Sequence, residues 1–596
     1  MSPKNKEEIV IRGTAASPGV VQGPAFVFLQ KDLEVPFYQV GEGRGLAEIK
    51  RFANALAETR SQINAIKTEI ADKLGDEEAQ IFAAHLLVLE DKALIDETIQ
   101  EQRNSGYNIE YCFHTVSKRY IDFFDQIKDD YLKERSADIK DVSRRVLHNL
   151  MGHAGFTLNH LQDKRVVVAE NLTPSDTAII DKENVLALLT DLGSRTSHAV
   201  IVARTIQVPA VVGLHDITQR VKNADYLLVD GYNGVVIIHP SEETLARYGK
   251  IQSAYESRQR VYEESLALPS QSADGQNLPL MANIEGRGDI PSVKRTGASG
   301  VGLFRTENLF LGKGTPPGEE EQFEVYREVA EALKPETVII RTLDLGGDKS
   351  TFFKDGPSME KEENPFMGLR AIRFCLEHKG MFKDQLRAVL RASAFGDVKL
   401  MYPMISGVDE LLRANALLEE AKAELRERSE PFNESLSVGI MIELPSAAYT
   451  ADLLAEHCAF FSIGTNDLIQ YMMAVDRVND RVAHLYDPNH PAVIRAIKSV
   501  IEVGKNKGIP VSLCGEMAGD SLYTALLFGL GADALSATPG CLAEMKYLLR
   551  RTKMQEAVDL AEHVLQQKSS KEVHKLLKSF YGAQLGELIE SETGNL

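Results

Sequence analysis

The sequence predicts a multidomain α/β protein: a small α/β domain, interrupted by a helical bundle, is followed by a (β/α)8 barrel. Three observations indicate this architecture. Short apolar strands separated by turn residues occur in residues 8–34 and return in residues 165–240. Residues 45–151 between them contain few Gly or Pro and show helical periodicity. Residues 271–596 alternate strands with helices, the pattern of a closed parallel barrel.

Length and composition exclude several classes of protein. A chain of 596 residues is too long for a single core, and its 44% hydrophobic and 26% charged residues are typical of a globular protein. Met1–Arg12 has no apolar segment of a secretory signal, and no apolar run is long enough for a membrane span. Five scattered cysteines without a CxxC pair favour a reducing, cytoplasmic location. A net charge of -19 makes nucleic acid an unsuitable partner.

The changes in pattern predict four regions. Residues 1–35 and 152–240 form the α/β domain, and residues 36–151 form the inserted helical bundle, whose first apolar stripe is Leu46, Ile49, Ala53 and Leu56. Residues 241–270 contain a charged connecting helix that ends in a Ser/Gln/Asp/Gly stretch. Residues 271–596 form the barrel, whose eight predicted strands begin with LPLMANIEG and end with DALSAT.

The carboxyl ends of the predicted barrel strands carry many polar residues. Chemistry in an eightfold barrel takes place at this end, so these side chains are candidates for a site. Arginines in such number favour an anionic ligand, because the guanidinium group matches phosphate and carboxylate. Two carboxylates among them, Glu443 and Asp467, are suited to Mg²⁺. The candidate residues at and just beyond the strand ends are Asn283, Arg305, Thr306, Glu307, Arg341, Asp344, Arg370, Arg373, Glu443, Asn466, Asp467, Arg477, Cys514, Gly515 and Glu516.

A second candidate site lies in the segment GSRTSHAVIVARTIQVPAVVG, residues 193–213, after the predicted strand VLALLT. Thr196 and Ser197 place hydroxyl groups beside His198, and the apolar residues after it begin a helix. A helix N-terminus favours an anion and disfavours imidazolium, which suits a phosphoryl group carried on the ring. A histidine in such a place is more often a cap or a core residue, so position alone does not decide its role.

These motifs closely resemble those of enzyme I of the bacterial phosphotransferase system, from RGTAASPGVVQGPAF to the end of the barrel. The resemblance implies autophosphorylation on His198 by phosphoenolpyruvate, release of pyruvate, and transfer of the phosphoryl group to the histidine phosphocarrier protein, HPr. It implies that Cys514, in LCGEMAGD, is the proton donor and that Glu443 and Asp467 bind Mg²⁺. The substrate-binding residues that it implies are Arg305, Arg341, Arg370, Asn466, Asp467 and Arg477.

The resemblance also extends to partners. In the helical insert, IFAAHLLVLEDKAL and YLKERSADIKD are similar to the carrier-binding region, with His85 and Arg135 at the matching contact positions. A homodimer through the barrel is implied. Since His198 has to visit both substrate and carrier, we expect the α/β phosphohistidine domain to swivel about links near residues 35–45, 150 and 240–270.

Two alternatives to this function stay open. A dikinase or phosphoenolpyruvate synthase shares the mobile histidine domain and the barrel, but it needs an ATP-binding domain and lacks the helical insert. A catalytically inactive regulatory scaffold would be indicated by loss of His198, Glu443, Asp467 or Cys514, and all four are present. The sugars downstream and any allosteric effector are not encoded in these motifs.

Overall fold

The structure, a computed structural model, describes residues 8–28, 34–41, 43–74, 76–125, 130–152, 163–172, 184–193, 200, 203, 208–310, 315–346, 362, 364–477, 479 and 481–585. The chain divides into two compact units, residues 1–253 and 254–596. This division falls inside the predicted connecting segment. No described helix is both long and apolar enough to cross a membrane.

The first unit contains a mixed sheet of eight strands in the order β1-β8-β7-β3-β4-β5-β6-β2. Strands β3 to β6 run parallel to one another, whereas the other neighbours pair antiparallel. The strands are β1 (Ile9–Arg12), β2 (Thr14–Ser17), β3 (Val20–Phe28), β4 (Arg165–Ala169), β5 (Val185–Thr190), β6 (Ala210–Val212), β7 (Tyr226–Asp230) and β8 (Val235–Ile238). The four strands expected after the bundle are present, and β6 is an additional short one.

Five described helices form the bundle between β3 and β4, as the periodicity predicts. They are α1 (Gly45–Leu74), α2 (Asp76–Leu89), α3 (Lys92–Ser105), α4 (Ile109–Asp125) and α5 (Asp130–Met151). A short helix α6 (Ile217–Arg220) precedes β7, and the connecting helix α7 (Glu242–Leu266) follows β8.

The buried face of α1 agrees only in part with the predicted stripe. Ile63, which continues that stripe, is buried in the bundle core, and Leu56 and Ile66 pack against it. Leu46 is 79% exposed, however, and the core also contains Phe52 and Ala55, which the stripe omits. The prediction was wrong here because polar residues occupy some of the inward positions and obscure the apolar period. Glu48 is one of them: it is buried, pairs with Arg51 over 2.9 Å and accepts a backbone hydrogen bond from α4.

The second unit contains the closed barrel, and all eight predicted strands are present. They are β9 (Leu280–Ile284), β10 (Val301–Phe304), β11 (Thr337–Arg341), β12 (Asp397–Tyr402), β13 (Val438–Ile442), β14 (Phe460–Ile463), β15 (Val511–Leu513) and β16 (Ala534–Ala537). Every neighbouring pair is parallel, and β16 closes the barrel by pairing with β9.

Helices follow the strands, as the alternating pattern requires. They are α8 (Ile290–Thr296), α9 (Glu319–Leu333), α10 (Ala371–Glu377), α11 (Lys379–Ala392), α12 (Val408–Glu427), α13 (Pro445–Tyr449), α14 (Ala451–Leu454), α15 (Thr465–Met473), α16 (Pro491–Lys507), α17 (Glu516–Gly519), α18 (Thr524–Leu530), α19 (Leu542–Leu549), α20 (Met554–Leu565) and α21 (Ser570–Leu585).

The alternation of side chains along the strands produces two apolar layers. Outward residues such as Ile340, Leu400 and Ile440 pack in one large core with the helices. Inward residues form a separate small cluster of Leu303, Ile339, Met401, Met441, Phe460 and Cys514. Three members of this inner cluster also line the cavity described next, so the barrel interior forms the floor of the site.

Candidate active site

A cavity of about 150 Å³ opens at the carboxyl ends of the barrel strands. It brings together every barrel residue to which the family resemblance assigns a catalytic, substrate-binding or metal-binding role, whereas the strand-end candidates Asn283, Thr306, Glu307 and Arg373 do not line it. The residues brought together are Arg305, Arg341, Arg370, Glu443, Asn466, Asp467, Arg477 and Cys514. Their roles remain predictions, but their common location is a property of the structure.

Arg341, the last residue of β11, is held by two carboxylates. Its Nη2 lies 2.8 Å from Oε1 of Glu307, and its Nη1 lies 3.1 Å from Oδ2 of Asp344. Burial by itself would lower the pKa of this guanidinium, but the charges of Glu307, Asp344 and Glu443 raise it. Arg341 is therefore always positively charged, and its guanidinium group is held in one orientation at the cavity wall.

Arg370, immediately before α10, shares Asp344 with Arg341. Its Nη2 lies 2.9 Å from Oδ1 of Asp344, and its Nη1 lies 3.5 Å from Oδ1 of Asp467 and donates to the Tyr471 hydroxyl over 3.2 Å. The backbone at Gly346 makes this approach possible. Its φ is +122°, and a Cβ there would lie 2.2 Å from that of Arg370.

Two further arginines reach the cavity with fewer partners. Arg305 follows β10 and is partly exposed, and its Nη1 lies 3.2 Å from Oε1 of Glu285. Arg477 follows α15, and its backbone N–H donates to Gln470 over 3.1 Å. Its buried Nη1 has no hydrogen-bond partner among the described residues. A buried guanidinium N–H without an acceptor is costly, so this atom favours an anion in the cavity.

Two carboxylates face each other on adjacent strand ends. Glu443 is buried after β13, and its Oε1 accepts a 2.6 Å hydrogen bond from the backbone of Met404. Burial, together with the charges of Asp467 and Asp344, raises the pKa of Glu443 to about 8. Oδ1 of Asp467, in the first turn of α15, is buried without a hydrogen-bond donor. Repulsion between the two carboxylates and this unsatisfied oxygen both favour a cation.

These donors fit Mg²⁺ in particular. Among the residues that the structure describes, no group of three or more His, Cys, Asp or Glu side chains is placed to hold a metal ion. Magnesium needs only one or two protein carboxylates when water and substrate phosphate complete its octahedral shell. The pair Glu443 and Asp467 meets that requirement. Two carboxylates would not be enough for a closed structural zinc site, which needs four protein ligands.

Cys514 lies at the end of β15 on the cavity floor. It is 2% exposed, and burial raises the pKa of its thiol to about 11. Its carbonyl oxygen accepts a 2.9 Å hydrogen bond from Nδ2 of Asn283 on β9. Oδ1 of Asn283 in turn accepts a 2.6 Å hydrogen bond from the Ser536 hydroxyl on β16. The thiol is therefore protonated at neutral pH, and its backbone is held from neighbouring strands.

Asn466 and Glu516 form a reciprocal pair at the rim of the cavity. Nδ2 of Asn466 donates to Oε1 of Glu516 over 3.0 Å, and the backbone N–H of Glu516 donates to Oδ1 of Asn466 over 2.7 Å. This pairing joins the loops after β14 and β15. It orients the amide predicted to bind substrate.

Tyr471 was not singled out from the sequence, although it orients Arg370. Its hydroxyl accepts from Nη1 of Arg370 and donates to the backbone carbonyl of Phe366. Tyr471 follows Asp467 by four residues on α15, so both side chains lie on one face of that helix. This spacing is the signal that could have identified it.

His198 lies outside the described residues, as do the hydroxyl residues beside it. The structure does describe the approach to this loop. Asp191, after β5, accepts a 3.1 Å hydrogen bond from the backbone N–H of Thr218. Gly193 has a φ of +116°, a conformation that side-chain-bearing residues rarely adopt. The role of His198 stays a prediction.

The two predicted carrier contacts lie in the bundle. His85 on α2 is 1% exposed, and its Nε2 lies 3.3 Å from Oδ1 of Asp138 on α5. Its ring meets that of Phe82 edge-on at 5.5 Å. Arg135 belongs to α5, but its side chain lies outside the described residues. Leu87, two residues further along α2, is 63% exposed. The role of His85 in carrier binding stays a prediction.

Comparison with known proteins gives the class and then the family. Residues 12–135, 161–234 and 259–554 match the N-terminal, mobile and phosphoenolpyruvate-binding domains of phosphoenolpyruvate-utilising enzymes. Over 570 residues the chain is 41% identical to the phosphoenolpyruvate-protein phosphotransferase of Listeria innocua, covering 96% of this chain and 99% of the relative. The protein of that name from Haemophilus influenzae is 39% identical over 571 residues, with the same coverage. The chain belongs to the phosphoenolpyruvate-protein phosphotransferase family.

Proposed function

We propose that this enzyme binds phosphoenolpyruvate in the barrel cavity, transfers its phosphoryl group to His198 and passes that group to the histidine phosphocarrier protein HPr. The observation that carries the proposal is the convergence of four arginines and four carboxylates, among them the pair Glu443 and Asp467, on one cavity. Phosphoenolpyruvate bears a phosphate and a carboxylate, so it needs several cationic partners in a small space. Family membership supports both the substrate and the carrier.

The arginines divide by environment. Arg341 and Arg370 are buried and oriented by shared carboxylates, which suits them to hold the substrate in one pose. Arg305 and Arg477 have guanidinium capacity left for a ligand, since Arg305 is partly exposed and Nη1 of Arg477 is unsatisfied. Asn466 adds a neutral donor at the rim. Phosphoryl transfer depends mainly on such positioning and charge stabilisation.

Glu443 and Asp467 would hold Mg²⁺. The ion would offset the negative charge on the substrate phosphate and on the two carboxylates. The unsatisfied Oδ1 of Asp467 supports this assignment. Arg370 lies 3.5 Å from that oxygen, so it keeps the carboxylate directed into the cavity.

The chemistry divides between a nucleophile and a proton donor. Neutral His198 attacks phosphorus, an N–P bond forms, and the P–O bond breaks with its electron pair retained by the enolate of pyruvate. The Cys514 thiol then donates its proton to the methylene carbon, which gives pyruvate, and solvent reprotonates the thiolate. A buried thiol with a pKa of about 11 supports this role, because it is present as the acid at neutral pH.

Four functional regions follow from the same proposal. Residues 1–35 and 152–240 carry His198, residues 36–151 bind the carrier, residues 241–270 connect, and residues 271–596 bind substrate. His198 belongs to the unit of residues 1–253 and the cavity to the unit of residues 254–596. Because one histidine serves both the cavity and the carrier, we propose that the phosphohistidine domain swivels. His85 and Arg135 would contribute to the carrier-binding surface.

Dimerisation through the barrel is part of the proposal. On two successive short helices, α13 and α14, Tyr449 is 84% exposed and Leu453 is 51% exposed. An interface on this face of the barrel would cover both side chains, and family membership supports the second copy. The free thiols of the described cysteines support a reducing, cytoplasmic location.

The decisive experiment is incubation with phosphoenolpyruvate labelled on phosphorus, with Mg²⁺, with and without purified carrier. We expect acid-labile label on His198 in the absence of carrier and on the carrier when it is added. Label that requires ATP, or no label at all, would contradict the proposal.

A further inference from the structure

Gln385 lies on α11, outside the ring of barrel strands, and is buried with hydrogen bonds on both its amide oxygen and its amide nitrogen. The side chain is 1% exposed. Its Oε1 accepts a 2.9 Å hydrogen bond from the backbone N–H of Leu343. Its Nε2 donates to the hydroxyls of Thr306 and Tyr326, each over 3.2 Å. A buried amide with these partners is oriented in one way only.

The partners of Gln385 stand at the ends of two strands that carry substrate arginines. Thr306 is between Arg305 and Glu307 after β10, and Leu343 is between Arg341 and Asp344 after β11. The Thr306 hydroxyl also donates a 3.0 Å hydrogen bond to the carbonyl of Arg341. One amide therefore binds the backbone of the segment after β11 and the Thr306 side chain of the segment after β10. The Thr306 hydroxyl in turn binds the backbone of Arg341.

A second layer supports the amide from α9. The Tyr326 hydroxyl, which accepts from Gln385, donates a 3.0 Å hydrogen bond to Oε1 of Gln322. Nε2 of Gln322 donates to the carbonyl of Pro317 over 2.9 Å. The ring of Tyr326 packs edge-on against Phe304 on β10 at 5.7 Å. This layer orients Gln385, and the Tyr326 hydroxyl is also within hydrogen-bonding reach of the Thr306 side chain.

We propose that Gln385 is a positioning residue that sets the relative placement of Arg305 and Arg341 through its bonds to the Leu343 backbone and the Thr306 hydroxyl. An apolar side chain of similar length could fill the same space but could not link the strands. A displacement of about 1 Å in a substrate-binding group can lower the catalytic rate substantially. The inference rests on the proposed function, in which these arginines bind phosphoenolpyruvate.

The test compares four variants of the full-length enzyme. Gln385→Met and Thr306→Val each remove the Gln385–Thr306 hydrogen bond with little change in volume, and we expect kcat/KM for phosphoenolpyruvate to fall about tenfold, mainly through KM. Because both single variants break this shared bond, the double variant should lose less than the sum of the two single losses. Tyr326→Phe also removes a buried hydroxyl but leaves both strand-end bonds, and it should keep a KM near that of wild type.

A second measurement separates positioning from general loss of structure. Phosphorylated carrier should label His198 equally well in all four variants, because that transfer does not use the cavity. Thermal unfolding should show that Tyr326→Phe loses stability comparable to Gln385→Met. An unchanged KM in Gln385→Met, additive losses in the double variant, or an equal rise of KM in Tyr326→Phe would each overturn the inference.

Failure of the inference is distinguishable from failure of the proposed function. Wild-type protein that takes no label from phosphoenolpyruvate contradicts the function itself. Wild-type protein that is labelled normally, with Gln385→Met labelled equally well at low phosphoenolpyruvate, contradicts only the role of Gln385. Thr306→Ser provides the rescue: it keeps the hydroxyl, so its KM should return close to wild type.

Discussion

Asn283 donates a 2.9 Å hydrogen bond to the backbone carbonyl of Cys514, and these two residues are 231 positions apart in the chain. The bond crosses from the first barrel strand to the seventh. It holds the backbone of the cysteine without consuming the thiol proton. The thiol itself donates a 3.8 Å hydrogen bond to the carbonyl of Ile463, and under the proposed mechanism its proton passes from there to the enolate.

Replacement of Cys514 by Ala should slow turnover by about 10²–10⁴-fold, the usual contribution of a general acid. Binding should persist, because Arg341 and the carboxylate pair are untouched. Exchange of the C3 methyl protons of pyruvate with solvent, followed by NMR, should fall sharply. Wild-type exchange rates in Cys514→Ala would identify another donor, and Glu516 at the cavity rim would be the next residue to test.

Alkylation of Cys514 should depend strongly on pH. Since burial raises the pKa of its thiol to about 11, the reactive thiolate is scarce at pH 8 and increases as pH rises toward 11. Iodoacetamide labelling of this residue, mapped by mass spectrometry, should accelerate over that range and be slowed by phosphoenolpyruvate. Cys541, which is partly exposed, provides the internal comparison. Rapid labelling of Cys514 at pH 7 would contradict the protonated form.

Glu443→Ala and Asp467→Ala should each abolish Mg²⁺-dependent turnover and preserve the fold. Each variant removes one of two carboxylates whose mutual repulsion the ion would offset. Calorimetric titration with Mg²⁺ and substrate should show lost binding, while circular dichroism remains that of the wild type. Exposed Glu502 on α16, which pairs with Lys498 and does not line the cavity, gives a matched control in Glu502→Ala. Full activity of both site variants, or of wild type under strong chelation, would exclude the metal role.

The barrel was predictable from sequence because glycines and polar residues mark each strand end, and the eight strands occur where expected. The full buried face of α1 was not predictable, because Glu48 faces inward and its charge is paired with Arg51. Hydrophobic periodicity does not show such a pairing. His85 is likewise a polar side chain that can be buried because it has a partner, Asp138, on another helix.

Gln385 illustrates the remaining limit. A glutamine on an amphipathic helix usually indicates a solvent-exposed face. Its partners Thr306 and Leu343 are 79 and 42 residues away, so only the closed barrel brings them together. Short motifs identify groups that touch a ligand, but they do not identify the buried groups that place them.

Replacement of His198 by Ala should abolish self-phosphorylation and leave binding of phosphoenolpyruvate to the barrel intact. The reason is that every described ligand candidate lies in residues 254–596, whereas His198 lies in the other unit. Binding can be measured by calorimetry with Mg²⁺, and phosphorylation by acid-labile label. His215, a described histidine with a left-handed backbone after β6, is the control, and His215→Asn should retain label. Full labelling of His198→Ala would rule out the assignment.

Residues 1 to about 260 should fold alone and exchange phosphate reversibly with phosphorylated carrier, yet remain inert toward phosphoenolpyruvate. The fragment keeps the mixed sheet, the bundle and most of α7, and the two units divide at Ser253. Transfer to and from the carrier needs His198 and the bundle, whereas capture of substrate needs the arginines after residue 300. Addition of the separate barrel in trans is the control for the missing step. Phosphorylation of the fragment by phosphoenolpyruvate alone would place the substrate site outside the barrel and contradict every assignment made there.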